Sequence, residues 1–157
     1  MRLTRRSDYA LRVLMWLALR PSSPLATIDE VCAAVGVARG HMLKIVHQLG
    51  QLGYLETVRG HGGGIRLAQQ AYQTTLGDLI RQLEPTLEPI NCSQPPCRLL
   101  PACRLRDVFQ EAADAFLGVL DRYTLNDLVD QPAPLKQIFG LFSADTLICK
   151  DAPPEAQ

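Results

Sequence analysis

Four of the five residues from Gly60 to Gly64 are glycine, and the run is bracketed by Tyr54-Leu55-Glu56-Thr57-Val58 on one side and Ile65-Arg66-Leu67 on the other. A helix cannot pass through such a run, because each glycine costs about 1 kcal/mol of helix propensity. Two short β-prone stretches around a glycine-rich tip read instead as a hairpin with strands over 54–58 and 64–67. The glycines admit positive φ and close backbone approach. Arg59, His61 and Arg66 place hydrogen-bond donors around the tip. Neither GKS nor GKT follows the glycines and no strand-to-helix transition does, which argues against a nucleotide-cradling loop.

What precedes the hairpin gives it a role. Leu11, Leu14, Met15 and Ala18 recur at helical spacing in a first helix over about 7–20, which Pro21 and Pro24 stop. Thr27 and Glu30 form a capping-box pair, predicting a second helix from Ile28 to about Val35 with Ile28, Val31, Cys32 and Val35 on one face and Gly36 beyond its end. A third helix is expected from about Arg39 to Gln51, with Met42, Ile45, Val46 and Leu49 inward and Arg39, His41, Lys44, His47 and Gln48 outward. Two short helices joined at a glycine turn, followed by a basic hairpin, are the sequence pattern of a winged helix-turn-helix. Its last helix enters the major groove, where early residues read bases and cations meet phosphate.

Charge supports that reading although the chain is neutral overall. Residues 1–70 carry nine Lys or Arg against four acids, and the remainder seven against twelve, so one half can meet phosphate while the other stays in solvent or meets a partner. The residues assigned to DNA are Arg2, Arg39, Gly40, His41, Lys44, Arg59, His61, Gly62, Gly63 and Arg66. Of these, Arg39, Gly40 and His41 are expected at the groove floor and Lys44 at a phosphate; Gly40 is expected to avoid a collision with backbone or a base.

The second half differs in kind. A helix is predicted from Thr75 to Glu84, with Leu76, Leu79, Ile80 and Leu83 inward. Pro85, Pro89, Pro95, Pro96 and Pro101 then keep the chain irregular. In this stretch stand Cys92, Cys97 and Cys103, three of five cysteines; Cys32 reads as a core residue and Cys149 as peripheral. An odd count with three clustered thiols makes a poor disulfide framework and suggests soft-metal ligation, iron–sulfur or zinc, although the CxxC knuckle common in zinc sites is missing. No cysteine or histidine follows Cys103 closely. Asp107 and Asp8 are the carboxylates available for a fourth position.

A long amphipathic helix is predicted over about 105–129, through Val108, Ala112, Ala115, Phe116, Val119, Leu120, Tyr123 and Leu128. It is expected to pair with its twin across a two-fold axis. Leu135, Ile138, Phe139, Leu141 and Phe142 suggest a short packing helix before a loose tail. The expected fold is thus mainly α: a winged helix-turn-helix with a small β-hairpin wing and a long dimerisation helix. Its parts are a DNA-binding unit (1–84), a cysteine loop (85–103), the dimerisation helix (104–130) and a packing segment with tail (131–157). No run of about 18 apolar residues predicts a membrane span. The basic start followed by apolar Leu11–Leu19 is interrupted by Asp8 and Arg12 and runs into Arg20-Pro21, so it reads as a folded helix rather than a secretion signal. A cytoplasmic protein is expected. No nucleotide motif or substrate constellation suggests an enzyme, and a protein-interaction module that uses the wing for its contacts is a rival that salt-dependent binding to operator DNA would exclude.

Four motifs together resemble the winged-helix iron–sulfur repressors of the IscR-like family, over about residues 1–130. They are Thr4-x3-Asp8-Tyr9-Ala10-Leu11-Arg12, the stretch from Val37 to Leu49, the wing from Val58 to Leu67, and Asn91-Cys92 through Pro101-Ala102-Cys103-Arg104-Leu105. Within that family they look most like the nitric-oxide-sensing NsrR branch, as does Tyr123-Thr124-Leu125-x-Asp127-Leu128. The resemblance implies a homodimer on inverted-repeat operators that represses nitrosative-stress genes. It also implies one cluster per subunit, [4Fe-4S] or alternatively [2Fe-2S], held by Cys92, Cys97 and Cys103 with Asp8 from the partner subunit. The IscR branch carries a histidine three residues after the third cysteine. Here that position is Arg106, which argues for the other branch. The alternatives kept are a related regulator that senses iron–sulfur status or redox state, or one that uses zinc.

Overall fold

The computed structural model describes residues 2–93 and 95–141 of the 157-residue chain. Helix α1 (Arg5–Ala18) starts at Thr4, whose hydroxyl accepts from the Ser7 N–H at 3.3 Å. Its buried face consists of Ser7, Ala10, Val13, Leu14, Trp16 and Leu17. The expected stripe was different: Leu14 is fully buried, whereas Leu11, Met15 and Ala18 are half-buried at the margin of the core. The reason is that residues 10–19 are apolar nearly all round, so two overlapping stripes compete and packing selects between them.

Helix α2 (Ile28–Val35) begins in a complete capping box, Thr27 N–H donating to Glu30 Oε2 at 2.7 Å while Glu30 N–H donates back to Thr27 Oγ1 at 3.3 Å. Gly36 closes it in the left-handed region (φ 72°), its N–H on the Cys32 carbonyl. Helix α3 (Arg39–Gln51) buries Met42, Ile45, Val46 and Leu49 against α1 and α2. Each apolar side chain so buried contributes about 1.5–3 kcal/mol to stability.

Strands β1 (Leu55–Val58) and β2 (Gly64–Leu67) form the hairpin, with Leu55 opposite Leu67, Glu56 opposite Arg66 and Thr57 opposite Ile65. Leu55, Ile65 and Leu67 face the core, and Tyr54, expected in the strand, is buried just before it. A third edge joins them: Ala26 and Ile65 exchange both backbone hydrogen bonds, at 2.9 and 2.8 Å. Of the four wing glycines only Gly60 (φ 101°) and Gly62 (φ 77°) need positive φ. Gly64 serves close approach instead, since a Cβ there would stand 2.6 Å from the Ala26 carbonyl oxygen.

A 3₁₀ turn (Gln69–Gln73) leads into helix α4 (Leu76–Leu83), capped by Thr75 and buried through Leu76, Leu79, Ile80 and Leu83 as the pattern predicts. The single long helix does not form. Helix α5 (Arg104–Leu120) stops at Asp121, and a separate α6 (Leu125–Leu128) starts in its own capping box, Thr124 with Asp127. The chain is diverted there because Leu76 N–H donates to Tyr123 O at 2.8 Å and Leu125 N–H to Thr74 O at 3.1 Å, while Leu125 is fully buried. Helix α7 (Pro132–Ile138) follows; Phe139 and Leu141 pack on the core, but Ile138 is 78% exposed and packs nothing. The packing role expected of Phe142, the peripheral Cys149 and the tail lie outside the described residues. No helix among the described residues is long and apolar enough to cross a membrane.

Candidate nucleic-acid interface and cysteine loop

The outer face of α3 is polar and open. Arg39, Gly40, His41, Lys44 and His47 are all exposed, and they face away from the buried row of Met42, Ile45, Val46 and Leu49 because a 3.6-residue repeat separates the two sets. Gly40 has open space where its Cβ would be. No neighbour among the described residues therefore requires glycine there.

Two of the expected DNA-facing arginines are already engaged. The Arg39 guanidinium bonds Asp29 on α2, and Arg66 forms a cross-strand pair with Glu56, Nη2 to Oε2 at 2.6 Å. Both pairs are well exposed, so each is worth at most about 1 kcal/mol and can exchange partners readily. Asp29 and Glu56 were not assigned a role from sequence. The Glu56–Arg66 pairing becomes readable once the register is known, since directly opposite residues interact.

Between α3 and the hairpin opens a cleft of about 690 Å³, lined among others by Asp29, Arg39, His47, Arg59, Gly60 and Gly63. Arg59, His61 and Gly62 stand exposed at the wing tip. The tip turn closes with Gly63 N–H on Gly60 O at 3.0 Å. Recognition helix and wing thus flank one groove, an arrangement that lets a helix lie in a major groove while a hairpin reaches the adjoining backbone. Arg2 lies elsewhere, in a groove of about 500 Å³ with Glu84, Glu88, Phe109 and Phe116.

The cysteine loop runs from Pro85 to Cys103. Cys92, Cys97 and Cys103 are free thiols, all half-buried. Cys97 N–H donates to Cys92 O at 3.0 Å, Leu100 N–H to Cys97 O at 3.2 Å and Ala102 N–H to Leu99 O at 3.1 Å, so successive turns coil this segment on itself. Cys103 is the residue from which α5 departs. Among the described residues no three His, Cys, Asp or Glu side chains gather to hold a metal ion. A single zinc ion needs all its thiolates at about 2.3 Å from one point. A [4Fe-4S] cluster binds each thiolate through a different iron, and three soft, unpaired thiols on one loop are the donor type it takes. Asp8 accepts from Arg12 Nε at 3.0 Å on α1 and is half-buried.

The fourth cysteine described, Cys32, is half-buried and packs on the core, where burial and the nearby Asp29 push its thiol pKa up. It stays protonated at neutral pH and makes a poor ligand or nucleophile.

Two connections tie the loop to the rest. At its start, Glu84 Oε1 accepts from Thr4 N–H at 2.8 Å and from Thr4 Oγ1 at 3.2 Å, joining the end of α4 to the cap of α1. At its end, α5 exposes Leu105, Val108, Phe109, Phe116 and Val119, with Tyr123 continuing the row. At 100° per residue the five within the helix fall on one face of roughly 100°, while Ala113 and Leu117, on the flank beyond Phe109, are the buried residues of α5. A bidentate Arg81–Asp121 pair at 2.6 and 2.7 Å fastens α5 to α4.

Comparison with known proteins agrees with this architecture. Residues 3–131 match the profile of the Rrf2 family, described as an iron-dependent transcriptional regulator. Among solved structures, IscR of T. potens superposes with a TM-score of 0.67 at 20% identity, covering 87% of this chain and 91% of its own. CymR, the global cysteine regulator of B. subtilis, gives 0.68 at 24% identity, covering 83% and 97%. An oxidized form of CymR from Staphylococcus aureus gives 0.64 at 25% identity, covering 82% and 95%. These likenesses extend over the winged helix and beyond it.

Proposed function

The chain belongs to the Rrf2 family of transcriptional regulators, and from that premise we propose that it is a homodimeric repressor whose affinity for inverted-repeat operator DNA is set by an iron–sulfur cluster that senses nitric oxide. It is a regulator and not an enzyme. The observation that carries the proposal is the position of the three free thiols, on one coiled loop bonded at its start to the cap of α1 and continuous at its end with the exposed apolar row of α5. Cys92, Cys97 and Cys103 would hold the cluster, of [4Fe-4S] type with [2Fe-2S] as the alternative. Asp8 of the partner subunit would supply a fourth, weaker ligand. When bound, the cluster would supply iron as the group that reacts with nitric oxide.

The chain's own residues link the loop to the reading head. Glu84 holds Thr4, Thr4 caps α1, and α1 packs directly on α3. A loop that loses its anchor shifts Glu84 and with it the first turn of α1, and the two recognition helices of a dimer then no longer match half-sites about 34 Å apart. The apolar face of α5 would supply the two-fold contact, leaving Arg39, Gly40, His41 and Lys44 of each protomer, with Arg59, His61, Gly62, Gly63 and Arg66 of each wing, to meet DNA. Such a protein would work in the cytoplasm, where thiols stay reduced. The three unpaired, half-buried thiols also support a second reading, in which iron–sulfur status, thiol oxidation or zinc is the signal.

Anaerobic purification followed by iron and sulfide quantification, with operator binding measured before and after nitric oxide, separates these readings. A coloured protein with iron and sulfide, whose operator affinity collapses on exposure, supports the proposal, and Cys92→Ser should abolish all three properties. A colourless, zinc-loaded protein, or unchanged affinity after the gas, refutes it.

A further inference from the structure

Beside the recognition helix lies a second groove, of about 480 Å³, between the first two turns of α1 and the exposed face of α3. Arg5, Arg6 and Tyr9 line it from α1, and His41, Lys44 and His47 from α3. No acidic side chain lines it. Arg5, Arg6 and Lys44 are exposed and belong to none of the ion pairs among the described residues. The nearest acid along α1, Asp8, is taken up by Arg12. This distinguishes Arg5, Arg6 and Lys44 from Arg39 and Arg66, since Arg39 already holds Asp29 and Arg66 already holds Glu56.

Three like charges around one open groove repel one another unless an anion comes between them, and the anion must span the groove's length. A phosphodiester strand does so, with charges regularly spaced along it. The placement agrees: a helix in a major groove brings one backbone strand along each flank, and α1 begins on one flank of α3 while the wing stands on the other. We infer that the α1–α3 groove is a phosphodiester seat, in which Arg5, Arg6 and Lys44 contact the backbone of duplex DNA and Tyr9 offers its hydroxyl as a donor. Arg5 and Arg6 are the new members of the interface. The inference rests on the DNA-binding reading and assigns its sequence-independent part to this groove. Arg39 and Arg66 must first give up a carboxylate, so binding at those positions exchanges one partner for another and releases less.

The test is the salt dependence of binding of the full-length protein to a duplex of unrelated sequence. Each phosphate neutralised contributes a slope of about −0.9 in log K against log salt. Arg5→Ala, Arg6→Ala and Lys44→Ala should each reduce the slope by about 0.9, and Arg66→Ala by less than half as much. All four side chains are exposed, so thermal unfolding should stay near wild type and report that the fold is intact. If Arg5→Ala/Arg6→Ala leaves the slope unchanged while the wild type binds, this proposal alone is overturned. If the wild type ignores duplex DNA at every salt concentration, the regulator reading falls and takes the groove with it.

Discussion

Removing the carboxylate of Glu84 should loosen the start of α1 without disturbing the core, and the structure sets the size of the effect. Glu84 Oε1 accepts two hydrogen bonds from one residue, the Thr4 N–H at 2.8 Å and the Thr4 hydroxyl at 3.2 Å. Hydrogen bonds to charged groups contribute about 1.5–3 kcal/mol when sheltered. Exposure of Thr4 discounts the pair to about 1 kcal/mol, the scale of exposed charge interactions. Thr4 also caps α1 through Ser7, and losing a cap costs about 1 kcal/mol. The two substitutions overlap only in the hydroxyl arm, because Thr4→Ala keeps its backbone N–H. A double-mutant cycle in urea, with Glu84→Ala, Thr4→Ala and both, should therefore give single costs of about 1 kcal/mol each and a coupling of about 0.5 kcal/mol. Glu84→Gln, which keeps an acceptor, should recover part of the loss. A coupling indistinguishable from zero, or a neutral Glu84→Ala, would refute the claim that this contact holds loop and helix together.

Three further outcomes follow from particular contacts. Gly64→Ala must push the hairpin off the Ala26 edge and lengthen two hydrogen bonds, at a cost of about 2 kcal/mol or a fall in Tm of about 4–8 °C; Gly118→Ala, with open space around it in α5, should instead raise stability, and calorimetry of both checks the contrast. Glu30 has its pKa held below the ordinary range, first by the Thr27 N–H and then by Arg20 and the Thr27 hydroxyl against an opposing effect of burial; its contribution is complete above the unfolded glutamate value and is lost as pH falls through the lower folded one, so acid titration of stability should flatten in Glu30→Gln, while Thr27→Ala costs about 1 kcal/mol at neutral pH. Phe116→Asp on the exposed face of α5 should leave the monomer folded and shift sedimentation from dimer to monomer, and a variant that stays dimeric would remove α5 from the interface.

Much of the reading head was legible in the residues because its signals are local. Thr27 with Glu30 located α2, Gly36 ended it, and the four glycines placed the hairpin. The misjudged face of α1 shows where locality fails: Leu11 and Met15 satisfy helical spacing as well as Val13 and Leu17 do, and only tertiary packing chooses. The break before α6 was readable, since Thr124 and Asp127 repeat the spacing of Thr27 and Glu30, but the continuous apolar period masked it. Arg39 and Arg66 could be placed on exposed faces, yet their pairing with Asp29 and Glu56 depends on contacts between elements. The cysteine spacing suggested a soft-metal loop. Its bond to Thr4, eighty residues away, had no signature in the chain.

The edge formed by Ala26 against Ile65 gives the wing an unexpected dependence. Because the stretch that leaves α1 bridges β2 through Ala26 and then enters the Thr27 cap, the hairpin's tilt is set by the length of the connection from Leu19 to Leu25 more than by its own tip. Insertions at Gly60 or Gly62, which face open space, should change only reach, whereas removing a single residue from that connection would re-aim the hairpin relative to α3 and alter the width of nucleic acid the pair can straddle.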